Sequence, residues 1–328
     1  MKKIGIIFGM ENTFPAALVE RINAMNVEGI TAEFLTIGGV FDHKASEYSV
    51  IIDRISHDIP FYRSFLKNAA IHGTYIINNP FWWSLDDKFI DNTIAAKVGV
   101  AVPRSVILPS KNHPPNTTAN SMRNLLYPLN WDEIFEYVGF PAFLKPHDGG
   151  GWRSVYKVVD PDDFFYQYNQ SGTDCMILQQ GIEYTSYYRC YCIGRQYVHI
   201  MPYAPHHPMH LRYVVDYPDF SPELEEKIHR DVLAINNALG YDLNTVEFAV
   251  QDGIPYAIDF MNPAPDCDYN SVTPRNFEWV VDAMAKFAVQ CILEERTMIT
   301  DPHAANYLAS GFEPKRSRKK TKSSSSSE

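Results

Sequence analysis

VEFAVQDGIPYAIDFMNPAPD, residues Val246 to Asp266, holds two runs of strand-forming residues around Asp252-Gly253. Asp-Gly between such runs is a strong signal for a two-residue hairpin turn. Folding there brings Glu247 roughly opposite Asp259, with the Asn262 amide oxygen just beyond. Two facing carboxylates repel unless a cation lies between them, and an all-oxygen cluster of this kind suits Mg2+ held together with nucleotide phosphates. A plainer reading stands beside it: one or both acids pair with lysine or arginine on the sheet surface.

A hundred residues upstream, FLKPHDGGGW (Phe143 to Trp152) ends an apolar strand on Lys145 and follows it with Gly149, Gly150 and Gly151. A triphosphate needs a fixed positive charge and backbone N–H groups that approach closely, which only residues without side chains permit. Three glycines by themselves also read as a plain turn.

Around these two stretches the chain changes character. Ile4 to Phe8 reads as a strand, followed by Gly9 and a helical pattern from Pro15 to about Met25. Apolar stretches at Glu33 to Ile37, Val50 to Ile52 and Tyr75 to Ile77 continue the alternation, so residues 1 to 80 are expected to form a Rossmann-like parallel α/β domain. Residues 86 to 98 read as a helix, Ser105 to Leu108 as a strand, and the Pro/Asn/Ser-rich 109 to 121 as a loop. From Pro141 short strands and hairpins dominate, with helices at Pro161 to Tyr168, Pro222 to Ala238 and Asn276 to Glu295. The fold class is therefore α/β followed by α+β. Residues 301 to 328 end in PKRSRKKTKSSSSSE, with no apolar residue after Pro314, and are expected to be a disordered basic and serine-rich tail.

With 328 residues, 45% of them hydrophobic, the chain is long enough for two or three domains. The net charge is −10 although the tail is basic, so the body is more acidic still; no specific nucleic-acid partner is expected. No apolar stretch approaches the roughly 18 residues of a membrane span, and Glu11 interrupts the first apolar run before a signal-peptide core forms. Five cysteines without a CxxC pair suit reduced thiols, and a cytoplasmic location is expected.

The order of motifs resembles the ATP-grasp superfamily: Asp87-Lys88, then LKP with its glycine loop (Leu144 to Gly151), then LQQGIE (Leu178 to Glu183), then Glu247, Asp259 and Asn262. The resemblance covers about residues 75 to 295. YYRCYCIGRQYV (Tyr187 to Val198) is similar to the arginine-bearing strand and hairpin of the glutathione synthetase and ribosomal-protein glutamate ligase branch. It implies a Rossmann-like pre-ATP-grasp domain, then a two-subdomain ATP-grasp fold. Residues 81 to 180 would carry the phosphate-binding lysines and glycine loop, and 181 to 300 the metal-binding strands.

Residue by residue, the resemblance implies that Lys88 and Lys145 bind phosphate and that Gly149, Gly150, Gly151 and Trp152 form a loop over it. Gln180, Gly181 and Ile182 match the hinge that meets adenine, Glu247, Asp259 and Asn262 the metal ligands, and Arg189 an arginine facing the reacting carboxylate. Two positions depart from the pattern. Tyr187 stands where a ribose-binding acid is expected, which leaves that role to Glu183, and Asn262 lies three residues beyond Asp259 rather than two. A bulge just ahead of Pro263 is expected to turn Asn262 onto the metal.

The implied activity is a ligase using ATP and Mg2+, which activates a small-molecule or peptide carboxylate as an acyl phosphate and joins it to an amine or thiol, releasing ADP and phosphate. A kinase acting on a hydroxyl, or a non-catalytic ATP-binding module, would use the same parts. HIMPYAPHHPMHLRYVVD (His199 to Asp216) reads as a lid or substrate loop delivering Arg212 to a phosphate or substrate acid, the other readings being a transition-metal site and, for Arg212, an ordinary surface role. In GMENTFP (Gly9 to Pro15), Glu11, Asn12 and Thr13 are candidates for substrate contact or for capping the helix that follows.

Overall fold

Strands β1 (Lys2–Ile7), β2 (Ile30–Phe34), β3 (Tyr48–Asp53) and β4 (Tyr75–Ile77) form a parallel sheet in the order β2-β1-β3-β4. Parallel neighbours need crossovers, supplied here by helices α1 (Phe14–Ala24) between β1 and β2 and α2 (Pro60–Ile71) between β3 and β4. Alternation along the strands divides the core: Ile4, Ile6, Val50, Ile52 and Ile77 face α1, while Ile51 and Ile76 join Leu66, Ala69 and Ala70 of α2. The second strand lies three residues earlier than the apolar stretch Glu33 to Ile37 that announced it. Its register is set by Lys2 opposite Ile30, and the Asn23 side chain of α1 grips both backbone groups of Ala32.

A computed structural model describes residues 1–81, 87–148, 153–215, 221–262 and 264–298. Trp82, Trp83, Gly149, Gly150, Gly151, Trp152, Pro263 and the tail 301 to 328 lie outside the described residues.

After α3 (Lys88–Lys97) comes a second, antiparallel sheet ordered β5-β8-β6-β7, from β5 (Ser105–Leu108), β6 (Ala142–Pro146), β7 (Tyr156–Val158) and β8 (Met176–Gln180). Helices α4 (Trp131–Val138) and α5 (Pro161–Tyr168) cover one face of it. Trp131, Phe135, Phe164, Phe165 and Tyr168 interlock there with centroids 5.1 to 6.0 Å apart over Leu108, Leu144 and Leu178. The sequence reading assigned no element between the loop 109 to 121 and Pro141, and α4 is a finding of the structure. Its N-cap is the Asn130 side chain.

The third sheet is also antiparallel, ordered β10-β9-β11-β12, from β9 (Ser186–Ile193), β10 (Tyr197–Pro202), β11 (Leu243–Gln251) and β12 (Ile254–Asp259). Helix α6 (Pro222–Leu239) covers one face through Ile228, Val232 and Ile235. The other face shares one core cluster with α1, the first sheet and the long helix α8 (Pro274–Leu293), which follows the single turn α7 (Tyr269–Val272). Arg21 of α1 clasps Glu278 at 2.6 Å and Asp282, both on α8. Among the described residues no helix is long and apolar enough to cross a membrane. All five cysteines are free, and burial raises the thiols of Cys190 and Cys192, the latter to about 12.

Candidate active site

Period-two alternation puts Tyr187, Arg189 and Tyr191 of β9 on one face of the third sheet, opposite Ala249, Glu247 and Thr245 of β11. Glu247 in turn pairs with Asp259 of β12. The hairpin reaches that pairing by an irregularity. Gln251 faces Ile254 and Phe248 faces Ala257, so a regular ladder would set Ile258 against Glu247; Ile258 is instead the extra residue of a bulge. This bulge lies before Asp259 and is not the one expected between Asp259 and Asn262. It falls there because β12 is the sheet's edge strand, where a bulge disturbs one ladder only, and the edge also tolerates Pro255.

Beyond β12 the chain is fixed by Asn244, fully buried on β11. Its amide donates to Phe260 O at 2.8 Å and Asn236 Oδ1 at 3.0 Å, and its oxygen accepts the Asn262 N–H at 2.8 Å. Asn262 thus leaves the strand on a backbone held by a side chain of the neighbouring strand.

Opposite this hairpin, the second sheet presents Lys145 on β6 and Gln179 on β8, both on the face turned away from Leu144 and Leu178. Lys145 is 9% exposed. Burial, together with Lys88, lowers its pKa to about 8, against the opposing pull of Asp259 and Glu247. Lys88 is the first residue of α3. Asp87 caps that helix through the Phe89 and Ile90 N–H groups, and the Lys88 N–H donates to His147 O at 2.9 Å, tying the helix start to the end of β6. Lys88 Nζ lies 3.2 Å from Asp259 Oδ1. Lys88, Lys145, Gln179, Ile258, Asp259 and Met261 line one small cavity.

The two acids carry opposite electrostatic loads. Burial raises Glu247, with Arg189 working against it from 3.3 Å and the Tyr187 hydroxyl donating at 2.6 Å. Asp259 is lowered: its protein surroundings push upward, and the ammonium groups of Lys88 and Lys145 outweigh them. Each acid therefore does meet a cation, as the plainer reading of the sequence had it, yet those cations are Lys88 and Arg189, themselves candidate site residues. The donor set Glu247, Asp259 and Asn262 is all oxygen, which fits a hard divalent cation such as Mg2+.

The hinge residues are held by the backbone. Gln180 N–H donates to Arg104 O at 2.8 Å and its side-chain oxygen accepts from Arg104 Nε at 3.2 Å. Gly181 N–H donates to Pro141 O at 2.9 Å, and a Cβ on Gly181 would stand 2.6 Å from that oxygen, so only glycine fits. Ile182 packs against the main core cluster and Glu183 is exposed. Arg212 donates through Nε to His207 O at 3.0 Å, within its own loop. Gly149, Gly150, Gly151 and Trp152 fall outside the described residues.

In the first loop neither Asn12 nor Thr13 caps α1 through its side chain. Thr13 Oγ1 donates to Asp268 at 2.8 Å and accepts the Tyr269 N–H at 3.0 Å. Glu11 pairs with Arg54, whose guanidinium also donates to Pro265 O at 2.6 Å. The loop is thereby fastened to the segment that follows the hairpin. His199 Nε2 donates to Asn276 Oδ1 at 2.7 Å and its ring stacks on Trp279, and among the described residues no group of three His, Cys, Asp or Glu is placed to hold a metal.

The bond of Tyr187 to Glu247, and Asn244, Arg54 and Gln179 as site neighbours, escaped the sequence reading. Asn244 and Gln179 left one signal there, a polar residue inside an otherwise apolar strand.

A parallel lead sheet followed by two antiparallel sheets, with Lys88 and Lys145 turned toward the hairpin carboxylates, is a fold this chain shares with solved ATP-grasp proteins. The D-alanine–D-alanine ligase from Bacillus anthracis, solved with ATP, superposes with a TM-score of 0.61 over 90% of this chain and 98% of that one, at 18% identity. A RimK domain protein ATP-grasp from Sphaerobacter thermophilus gives 0.61 over 88% and 99%, at 15% identity. By sequence, a D-alanine–D-alanine ligase of Clostridium botulinum is 24% identical over 196 residues. That match takes in 52% of this chain and 61% of the relative, so the chain spans less than two thirds of the curated relatives it matches. No protein-family model matches the chain.

Proposed function

We propose that the chain is an ATP-dependent ligase that activates a carboxylate and joins it to an amine or similar nucleophile. One observation carries this reading: Lys88 of α3 and Lys145 of β6 converge on Asp259 of β12, which pairs across the hairpin with Glu247. Cations and acids drawn from separate elements into one cleft are what a nucleotide with its metal requires.

Glu247, Asp259 and Asn262 would hold Mg2+, which when bound supplies charge neutralisation at the phosphates. Lys145 and Lys88 would offset phosphate charge from the opposite wall. Gln180 to Ile182 would meet adenine and Glu183 the ribose, and Arg212 would contact a phosphate or substrate acid. Arg189 orients the substrate carboxylate toward the γ-phosphate, and Tyr187 holds Glu247 in place. The acyl phosphate that forms is then captured by the nucleophile, leaving ADP and phosphate. The relatives' names make D-alanine the first substrate to try, as both acid and amine.

The test is thermal unfolding with ATP, with and without Mg2+, on the wild type, Lys145→Ala and Asp259→Asn. At 100-fold excess over Kd a bound ligand adds about 2.7 kcal/mol. Stabilisation that needs Mg2+ and vanishes in both variants is expected, followed by ADP release that requires an acid. Absence of any shift in the wild type removes the proposal. ATP binding without ADP release from any acid–amine pair would favour a binding module, and a product stable to hydroxylamine a kinase.

A further inference from the structure

Four tyrosines run in contact beside Arg189. Tyr184 meets Tyr187 edge-on at 5.1 Å, Tyr187 lies 6.1 Å from Tyr203, and Tyr203 meets Tyr213 edge-on at 5.1 Å. The last two are also joined through their backbones by an isolated antiparallel bridge. Ala204 N–H to Arg212 O at 2.8 Å and Val214 N–H to Pro202 O at 3.2 Å extend it. The histidine-rich loop is thus closed at its base, and the closure presses Tyr213 inward until 6% of it is exposed.

Arg189 lies under this bridge with its guanidinium 5.5 Å from the centre of the Tyr203 ring. Nη1 donates to the Tyr203 hydroxyl at 3.4 Å and approaches Glu247 at 3.3 Å, and Nη2 donates to Thr245 at 3.3 Å. Among the described residues, two polar atoms here find no hydrogen-bond partner although both are shut off from solvent: Arg189 Nε and the Tyr213 hydroxyl. A buried polar group left unmet costs about 1–3 kcal/mol, so two on side chains that both pack against Tyr203 mark a place completed by something else. Arg189 Nε can only donate, the Tyr213 hydroxyl can donate, and a guanidinium is part of the pair. The missing partner therefore offers acceptor oxygens and negative charge, as a carboxylate does.

We propose that Tyr213 is a substrate-binding residue: its hydroxyl and Arg189 Nε together donate to the carboxylate of the acid to be activated. The inference rests on the role given to Arg189 above and adds a residue of the loop to it. The sequence pointed to Arg212 of the same loop, whose Nε is engaged by His207 O, whereas its neighbour is the one turned inward. Because Glu247 is the cross-strand neighbour of Arg189, a carboxylate held here lies beside the acids of the hairpin, where the γ-phosphate would be presented. Closure of the loop and capture of the acid become one event.

Acetate serves as the probe, titrated into the chain with and without Mg2+ and the non-hydrolysable β,γ-methylene analogue of ATP, and thermal unfolding is followed. Sodium chloride at equal ionic strength and neutral acetamide are the controls. Acetate is expected to stabilise the wild type beyond both controls. Tyr213→Phe, which keeps the ring, is expected to retain the unliganded Tm and the response to nucleotide while its apparent Kd for acetate rises about ten-fold or more, as loss of a hydrogen bond to a charged group implies. Arg189→Lys, which keeps the charge without the Nε donor, should show the same loss. An acetate response no larger than that of chloride overturns the inference, and so does a Tyr213→Phe response equal to the wild type's. Nucleotide stabilisation that survives alongside either result leaves the nucleotide site standing and removes the carboxylate pair alone.

Discussion

Lys145 shows how a single position is tuned by its surroundings. A lysine in the middle of a sheet, 9% exposed, loses hydration that its ammonium needs, and the neighbouring Lys88 adds repulsion; the acids of the hairpin recover only part, which leaves the pKa at about 8 rather than the ordinary lysine value of 10.5. A folded value below the unfolded one means that the charged form weakens the fold below pH 8, and that this penalty disappears as pH rises from 8 through 10.5. In the proposed function, phosphate oxygens would reverse the balance by stabilising the ammonium. At pH 8.5 most Lys145 is neutral before nucleotide arrives, so binding of ATP with Mg2+ should take up most of a proton, and at pH 6.5 this group should contribute none. Calorimetry in buffers of different ionisation enthalpy reads the proton count directly, and a zero slope at pH 8.5 contradicts the assignment. Lys145 was legible in the sequence because a lysine ending an apolar strand before a glycine run is conspicuous. Tyr187 was not. Its hydroxyl bonds Glu247 from the adjacent strand, and only the register of β9 against β11 brings the two together.

At the scale of elements, the β11–β12 hairpin carries the acids, and its turn was readable from Asp252-Gly253. Its register was readable only in part. A strict count from the turn pairs Glu247 with Ile258, and nothing in the local sequence shows that Ile258 bulges out so that Asp259 takes its place. The anchor at the end of β12 was hidden for the same reason: Asn244 lies sixteen residues before Phe260 and acts through the fold. All three of its hydrogen bonds are made, so Asn244→Ala leaves Phe260 O and the Asn262 N–H unpaired in a buried setting. The expected cost is about 2–5 kcal/mol, read as a lower midpoint in urea at unchanged m-value. Asn244→Asp retains an acceptor for Asn262 but loses both donors, and buries a charge, so it should be no better than Ala. Since Asn262 leaves the strand on this anchor, the Ala variant should also lose the Mg2+-dependent part of ATP stabilisation while keeping some response to ATP alone. A variant with full stability would show that the anchor is dispensable.

On the scale of the whole molecule, the three sheets are not equally joined. The first and third share one apolar cluster that runs through α1 and α8, reinforced by Asn78 bonding both backbone groups of Leu243, Tyr75 to Asp242, and Arg21 to α8. The second sheet has its own cluster, closed by α4 and α5 around Trp131 and Phe164. Elements that share a core open together, and those with a separate core open separately. Native-state hydrogen exchange in mild denaturant should therefore give β1, β3, β9 and β11 a common opening free energy, with β6 and β8 exchanging through a smaller and less costly opening. The site spans this division, since Lys145 belongs to the second sheet and Glu247 and Asp259 to the third. A nucleotide with Mg2+ held between them binds only when both are folded. Exchange from β6 and β8 should then slow by up to about 100-fold at 100-fold excess over Kd, equivalent to about 2.7 kcal/mol. Protection that rises equally in β1 and β6 from equal starting values would mean that the molecule opens as one body. Protection confined to β6, β8 and the hairpin would place the nucleotide across the gap that Lys145 and Asp259 face from either side.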